Sequence, residues 1–213
     1  MQRLELLTEK VTERKNHMAK KIILASGSPR RKQLLLQAGI PHEVLVSNVD
    51  ETVAGLPGDQ TRTLARRKAM ATASLLTIPR EHAIIIAADT LVNYDGEIMG
   101  KPTSPNEAYV MLQKLQGKTH QVYTGVSILA GDDSIEFTDM AEVTFRPLSH
   151  EEMIAYIATK EPFDKAGAYG IQGRGSAFVR HISGDFYTVM GLPISKVCGA
   201  LIQVGYNYWS PEQ

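Results

Sequence analysis

Residues 24–39 read LASGSPRRKQLLLQAG and follow directly on the apolar pair Ile22 and Ile23. The β-branched run KKIILAS predicts a first strand. Ser28 followed by Pro29 then fits an N-cap with proline at the first helical position, which starts a helix. That helix turns Leu34, Leu35 and Ala38 inward and stops at Gly39. Strand, small-residue loop and helix N-terminus together open an α/β fold. They are also a general anion site, because free N–H groups point outward and the helix dipole favours a negative ligand. Arg30, Arg31 and Lys32 occupy that first turn, where each cation costs roughly 0.3–1 kcal/mol. A basic run is ordinarily a solvated helix face. A bound phosphate would reverse the sign of the dipole term, with arginine forks gripping its oxygens. The stretch is not the G-x-x-x-x-G-K-[ST] P-loop.

The same alternation continues outward. HEVLVSNVD at residues 42–50 reads as a strand, and GDQTRTLARRKAMATASLL at 58–76 as a helix with Leu64, Ala65 and Ala69 on its core face. HAIIIAADTLVNYDGEIM at 82–99 predicts a strand buried on both faces, then a hairpin at Asp95-Gly96. A helix follows from Ser104 to about Gly117, then an antiparallel pair of strands over 120–131 and 134–148. Ser149 and Glu152 have capping-box spacing ahead of a further helix, and residues 191–206 read as a closing helix. Between these last two, glycines at 167, 170, 173 and 175 predict backbone that approaches something closely.

The chain has 213 residues, 43% of them hydrophobic, enough for a substantial core. Lysine plus arginine balances aspartate plus glutamate at 23 each. The whole molecule therefore has no field that would recruit nucleic acid or an acidic membrane, and any anion site is local. A single cysteine, Cys198, excludes an internal disulfide and reads as core. Residues 1–19 contain acids and no long apolar run, so they fit neither a signal nor a transit peptide. Leu4, Leu7 and Val11 have helical spacing there, and a frayed extension is the competing reading. No segment approaches the ~18 apolar residues of a membrane helix, and the expected location is cytoplasmic. The expectation is an extension over 1–19 and one domain over 20–213, with a curved, mixed sheet.

Several residue sets could carry chemistry. Asp89 closes the apolar run AIIIAAD, and a carboxylate there is costly unless it meets a metal, a cation or a catalytic proton. The strand reading puts Asp89 and Thr90 at a carboxyl end, where open α/β folds keep their sites; a turn cap is the alternative. Asp50 and Glu51, at the end of the preceding strand, could add a carboxylate for an oxygen-ligated divalent ion. Lys68, Lys101 and Lys165 read singly as surface residues, but with Arg30 and Arg31 they would line a cationic cleft. The six histidines form no H-x-x-x-H pair, and no G-x-S-x-G elbow is present. Tyr169, Phe178, Phe186 and Tyr187 could stack a base, although core packing is the commoner use of such residues.

LASGSPRR, AADTLV, GKP, TGV and DKAGAYGIQG, in this order and spacing, resemble the Maf family of nucleoside triphosphate pyrophosphatases from about Lys21 to Gly205. The resemblance implies a two-lobed, elongated α/β fold related to inosine triphosphatases, with the active-site cleft between the lobes. It implies hydrolysis of a nucleoside triphosphate to the monophosphate and pyrophosphate with Mg²⁺ or Mn²⁺, and it is compatible with a homodimer. Carried over residue by residue, it makes Asp89 the proton acceptor for the attacking water. Ser26, Arg30, Arg31, Lys68 and Lys101 become phosphate-handling residues, and Glu51 joins Asp89 near the metal. Arg30, Thr90 and Gln172 match the branch acting on dTTP and UTP. A glutamine amide can donate and accept toward a neutral pyrimidine edge, whereas the acid of the 7-methyl-GTP branch suits a cationic purine.

The chain departs from the family pattern twice. Arg67 stands where R-E-K-A would have an acid, and Gly100 where E-K-P would. Both departures remove a carboxylate beside a retained lysine. They open one other reading, nucleotide or nucleic-acid binding without turnover, and hydrolysis of 7-methyl-GTP or another purine triphosphate is a separate alternative.

Overall fold

A computed structural model describes residues 20–209, so the extension expected over 1–19 lies outside the described residues. β1 (Lys21–Leu24) buries its apolar residues. The Ser28 side chain then accepts from the Arg31 amide to cap α1 (Pro29–Gln37), which buries Leu34 and Leu35. The chain turns out of this helix at Gly39, with φ +71°.

The strand expected over 42–50 contracts to β2 (Glu43–Val44), parallel to β1. The Leu45 amide still reaches the Leu24 carbonyl at 3.1 Å, but β1 ends there and the next residues have no ladder partner. They run instead along α2 (Pro57–Ala73). The Ser47 hydroxyl donates to the Lys68 carbonyl at 3.3 Å, and the Thr72 hydroxyl donates to Ser47 Oγ at 3.1 Å. α2 buries Leu64, Ala65 and Ala69, as the helical period predicts.

β3 (Ala83–Tyr94) joins β4 (Glu97–Met99) through Asp95 and Gly96, with φ of 50° and 80° as a tight hairpin requires. α3 (Pro105–Leu115) is capped by Ser104. β5 (Thr119–Ala130) and β6 (Asp133–Phe145) form the expected antiparallel pair. α4 (His150–Ala158) carries the full Ser149–Glu152 capping box. The glycine-dense segment is a series of 3₁₀ turns leading to β7 (Val179–Ser183), α5 (Phe186–Met190) and α6 (Ile194–Gln203). Among the described residues no helix is long and apolar enough to cross a membrane.

The strands form one mixed sheet in the order β2-β1-β3-β5-β6-β7, with β4 also on β3. β3 organises the molecule. Its Ile84, Ile86 and Ala88 join the core under α1 and α6, while Ala83, Ile85 and Ala87 face α2 with Ala69. Farther along, Val92 belongs to a different core, with Met99, Leu112, Phe145 and Tyr156 under α3 and α4. The change of core partway along one strand gives the fold its two lobes. β5 covers one edge of β3 from Ile84 to Asn93. The other edge pairs with β1 up to Ile86 and with β4 from Val92. Residues 87–91 therefore have an open edge where the lobes meet.

Candidate active site

Asp89 and Thr90 sit within that open edge, in mid-strand rather than at a strand end as the sequence suggested. Being neighbours on a strand, they point to opposite faces. Asp89 faces α2: Lys68 Nζ lies 2.6 Å from Asp89 Oδ1 and 2.8 Å from Glu51 Oε1, so one ammonium joins the two carboxylates. Gly125 is the reason α2 comes this close. It is the register partner of Asp89 on β5, and a Cβ there would overlap the backbone of Thr61 and Arg62. Lys68 stands two helical turns beyond Thr61 and so shares its face. The hydrogen bond from Lys68 holds the Glu51 carboxyl below its usual range, against a smaller opposing effect of burial.

Thr90 faces α1. The Arg31 guanidinium donates from Nη2 to Thr90 Oγ1 at 3.0 Å, from Nη1 to Ser26 Oγ at 3.0 Å and from Nε to the Gly191 carbonyl at 2.7 Å. All three acceptors are neutral, and among the described residues no carboxylate lies within ion-pair distance of Arg31. Burial lowers its pKa, with the charge of Asp89 opposing the shift. A secluded cation without a counter-ion suits an anionic ligand. Beyond Thr90, the Thr124 hydroxyl donates to the Thr188 carbonyl at 2.8 Å and lies 2.9 Å from Thr90 Oγ1. Because Thr124 spends its one proton on the carbonyl, Thr90 must donate to Thr124. Ser26 Oγ accepts from Arg31 and, at 3.3 Å, from the Ser28 amide, which leaves its own proton for a ligand.

The open edge lets a single cavity of about 910 Å³ reach both faces. Ser26, Arg30, Arg31, Glu51, Lys68, Asp89, Thr90 and Lys101 all line it, together with Lys165. Arg30 crosses to the other lobe, where Nη1 lies 3.2 Å from Asp164 Oδ2. Lys165 Nζ is tied to the Glu161 carbonyl at 2.7 Å and to Asp164 Oδ1 at 2.6 Å. Gln172 is not brought in with the rest; the cavity wall includes Ile171, while Gln172 is half-buried beside it. Tyr169 is buried but lines the cavity as well, whereas Phe178 and Cys198 are core residues. Thr124 falls within the TGV motif, which gave it no role of its own, and Gly191 carries no motif signal; their positions across the sheet and after α5 give them their contacts here. Among the described residues no cluster of three or more His, Cys, Asp or Glu could enclose a metal ion.

A family model described as Maf-like protein matches residues 21–204, a span that includes the entire cavity wall. The chain belongs to the Maf family. A dTTP/UTP pyrophosphatase from Bacillus cereus (strain ATCC 10987 / NRS 248) is 54% identical to this Maf protein over 186 residues, covering 86% of this chain and 90% of the relative. A protein of the same name from Bacillus anthracis (strain CDC 684 / NRRL 3495) is 53% identical and is covered over 95% of its length. Among solved structures, a HAM1 protein from Coxiella burnetii superimposes with a TM-score of 0.45 at 10% identity, covering 86% of this chain and 99% of that one. That superposition is too loose to carry weight beside the family match.

Proposed function

We propose that this Maf protein hydrolyses a nucleoside triphosphate, dTTP or UTP in particular, to the monophosphate and pyrophosphate. One observation carries the reading: the Arg31 guanidinium, bonded only to neutral oxygens, shares a cavity with the Asp89 carboxylate. A polyphosphate supplies the charge Arg31 lacks, and Asp89 supplies a base beside it. The names of the 54% and 53% identical relatives support the same substrate class.

In the reaction, Asp89 accepts a proton from a water that attacks the α-phosphorus. The bond to the bridging oxygen breaks, and pyrophosphate leaves with the electron pair. Arg31, Ser26 and Lys101 hold phosphate oxygens, so the charge developing on the leaving group meets donors already in place. Lys68, fixed between Asp89 and Glu51, orients both carboxylates. Their oxygens also suit Mg²⁺ or Mn²⁺, which take one or two carboxylates and complete their shell with substrate phosphates. Asp89 and Glu51 are the residues that would hold such an ion. Bound there, it would neutralise charge on the phosphate oxygens.

The test is a panel of UTP, dTTP, CTP, GTP and 7-methyl-GTP with Mg²⁺ or Mn²⁺, detecting pyrophosphate and orthophosphate separately. Pyrophosphate from UTP and dTTP is expected, and Asp89→Asn should lose ~10²–10⁴-fold in rate while remaining folded. Stepwise orthophosphate release would refute attack at the α-phosphorus. Preferential turnover of 7-methyl-GTP would move the protein to another substrate branch.

A further inference from the structure

Glu51 carries its carboxylate on an irregular segment, with no strand or helix to fix it. Two contacts hold this part of the segment in place. The Thr52 amide donates to Asp50 Oδ1 at 2.9 Å, closing a tight turn with Glu51 at its apex. Arg67 Nη1 then donates to the Asp50 carbonyl at 2.9 Å and to the Thr52 carbonyl at 3.0 Å. A guanidinium nitrogen of this type carries two hydrogens, so one group grips the carbonyls on both sides of Glu51. Arg67 and Lys68 are consecutive on α2: Arg67 takes the backbone around Glu51, and Lys68 takes its carboxylate at 2.8 Å.

From this geometry we infer that Arg67 is a positioning residue that sets the Glu51 carboxylate against Lys68 and Asp89. The inference rests on the proposed role of Glu51 in the reaction. It gives the departure of Arg67 from the family pattern a physical meaning. A carboxylate at 67 would face two carbonyl oxygens instead of bonding them.

Steady-state hydrolysis of UTP with Mg²⁺, read as pyrophosphate, tests it on the full chain. Arg67→Ala should lower kcat on the order of 10-fold, the lower end of what outer-shell substitutions cost, with KM nearly unchanged. Arg67→Lys, whose ammonium can reach both carbonyls, should recover most of the loss. Arg67→Glu should fall below Arg67→Ala. Because Arg67 acts through Glu51, adding Arg67→Ala to Glu51→Gln should cost nothing more. Amide exchange at Thr52, measured without substrate, should quicken in Arg67→Ala. An unchanged kcat in Arg67→Ala, or an equal further loss in the Glu51→Gln background, overturns the inference. If the enzyme releases no pyrophosphate, the proposed function fails instead, and Thr52 exchange alone then decides the clamp: no change refutes it.

Discussion

Direction matters more than distance in the contacts around Thr90. Its hydroxyl must donate to Thr124, which has given its only proton to the Thr188 carbonyl, and it must accept from Arg31. Thr90 therefore fixes the guanidinium while turning its own proton away from the cavity. Thr124→Val removes two hydrogen bonds at once: the Thr90 hydroxyl loses its acceptor, and the Thr188 carbonyl keeps only the Gly191 amide at 3.1 Å. It should cost roughly 1–3 kcal/mol of stability. It should also raise KM for UTP about tenfold, the equivalent of one hydrogen bond to a charged group. Thr124→Ser keeps the hydroxyl and should retain KM; urea unfolding and steady-state kinetics separate the two effects, and a serine variant as impaired as valine would remove the hydrogen-bond chain from the account. None of this was legible in the sequence. Asp89, Lys68, Arg31 and Glu51 could be chosen as chemistry-bearing types in suggestive places, and the fold brings them to one cavity. Threonine is too common in strands to signal a relay, and Gln172 is half-buried next to Ile171, which lines the cavity.

At the scale of elements, the period of hydrophobic residues located α1, α2, β3 and the β5–β6 pair because each buries a face of its own. It overextended β2, where alternation was present but β1 was too short to pair with it. Strand pairing depends on the length of the partner, which local alternation does not record. It also missed why α2 approaches the sheet, a contact that one absent side chain permits. Gly125→Ala tests that approach directly. The new methyl would meet the Thr61 and Arg62 backbone, which cannot rotate away as a side chain could. Overpacking of this kind costs ~1–3 kcal/mol. Moving α2 outward would also withdraw Lys68 from Asp89, so thermal stability and kcat should fall together. A variant that keeps full turnover while losing stability would show that the Lys68–Asp89 contact survives a shifted helix.

Across the whole molecule, acid should act first on the lobe under α3 and α4. His120 is buried there between Phe145 and Tyr169, with ring centroids 5.0 and 5.3 Å away. Its Nε2 lies 2.8 Å from the Tyr169 hydroxyl, while Nδ1 has no hydrogen-bond partner. The neutral ring can leave Nδ1 as a bare lone pair, but a protonated ring would bury a charged N–H with no acceptor. Burial accordingly lowers its pKa from 6.5 to about 4. The sign follows from proton counting. Above pH 6.5 the ring is neutral in both states; between 6.5 and about 4 only the unfolded chain binds the proton; below that both do. Stability should therefore decline as pH falls from 6.5 to about 4, by about 3 kcal/mol in all. Glu51 and Asp139 also have lowered pKa values, so their contributions are lost as pH falls below the ordinary carboxylate range and through those lowered values. The interval from pH 6.5 to 5 is thus governed chiefly by the buried ring. Urea unfolding over that interval should give a clear slope for the wild type and a flatter one for His120→Phe, even though the variant leaves the Tyr169 hydroxyl unpaired and starts less stable. Equal slopes would mean that His120 gains its proton in the folded protein as readily as in the unfolded chain, and that this lobe admits solvent to the ring.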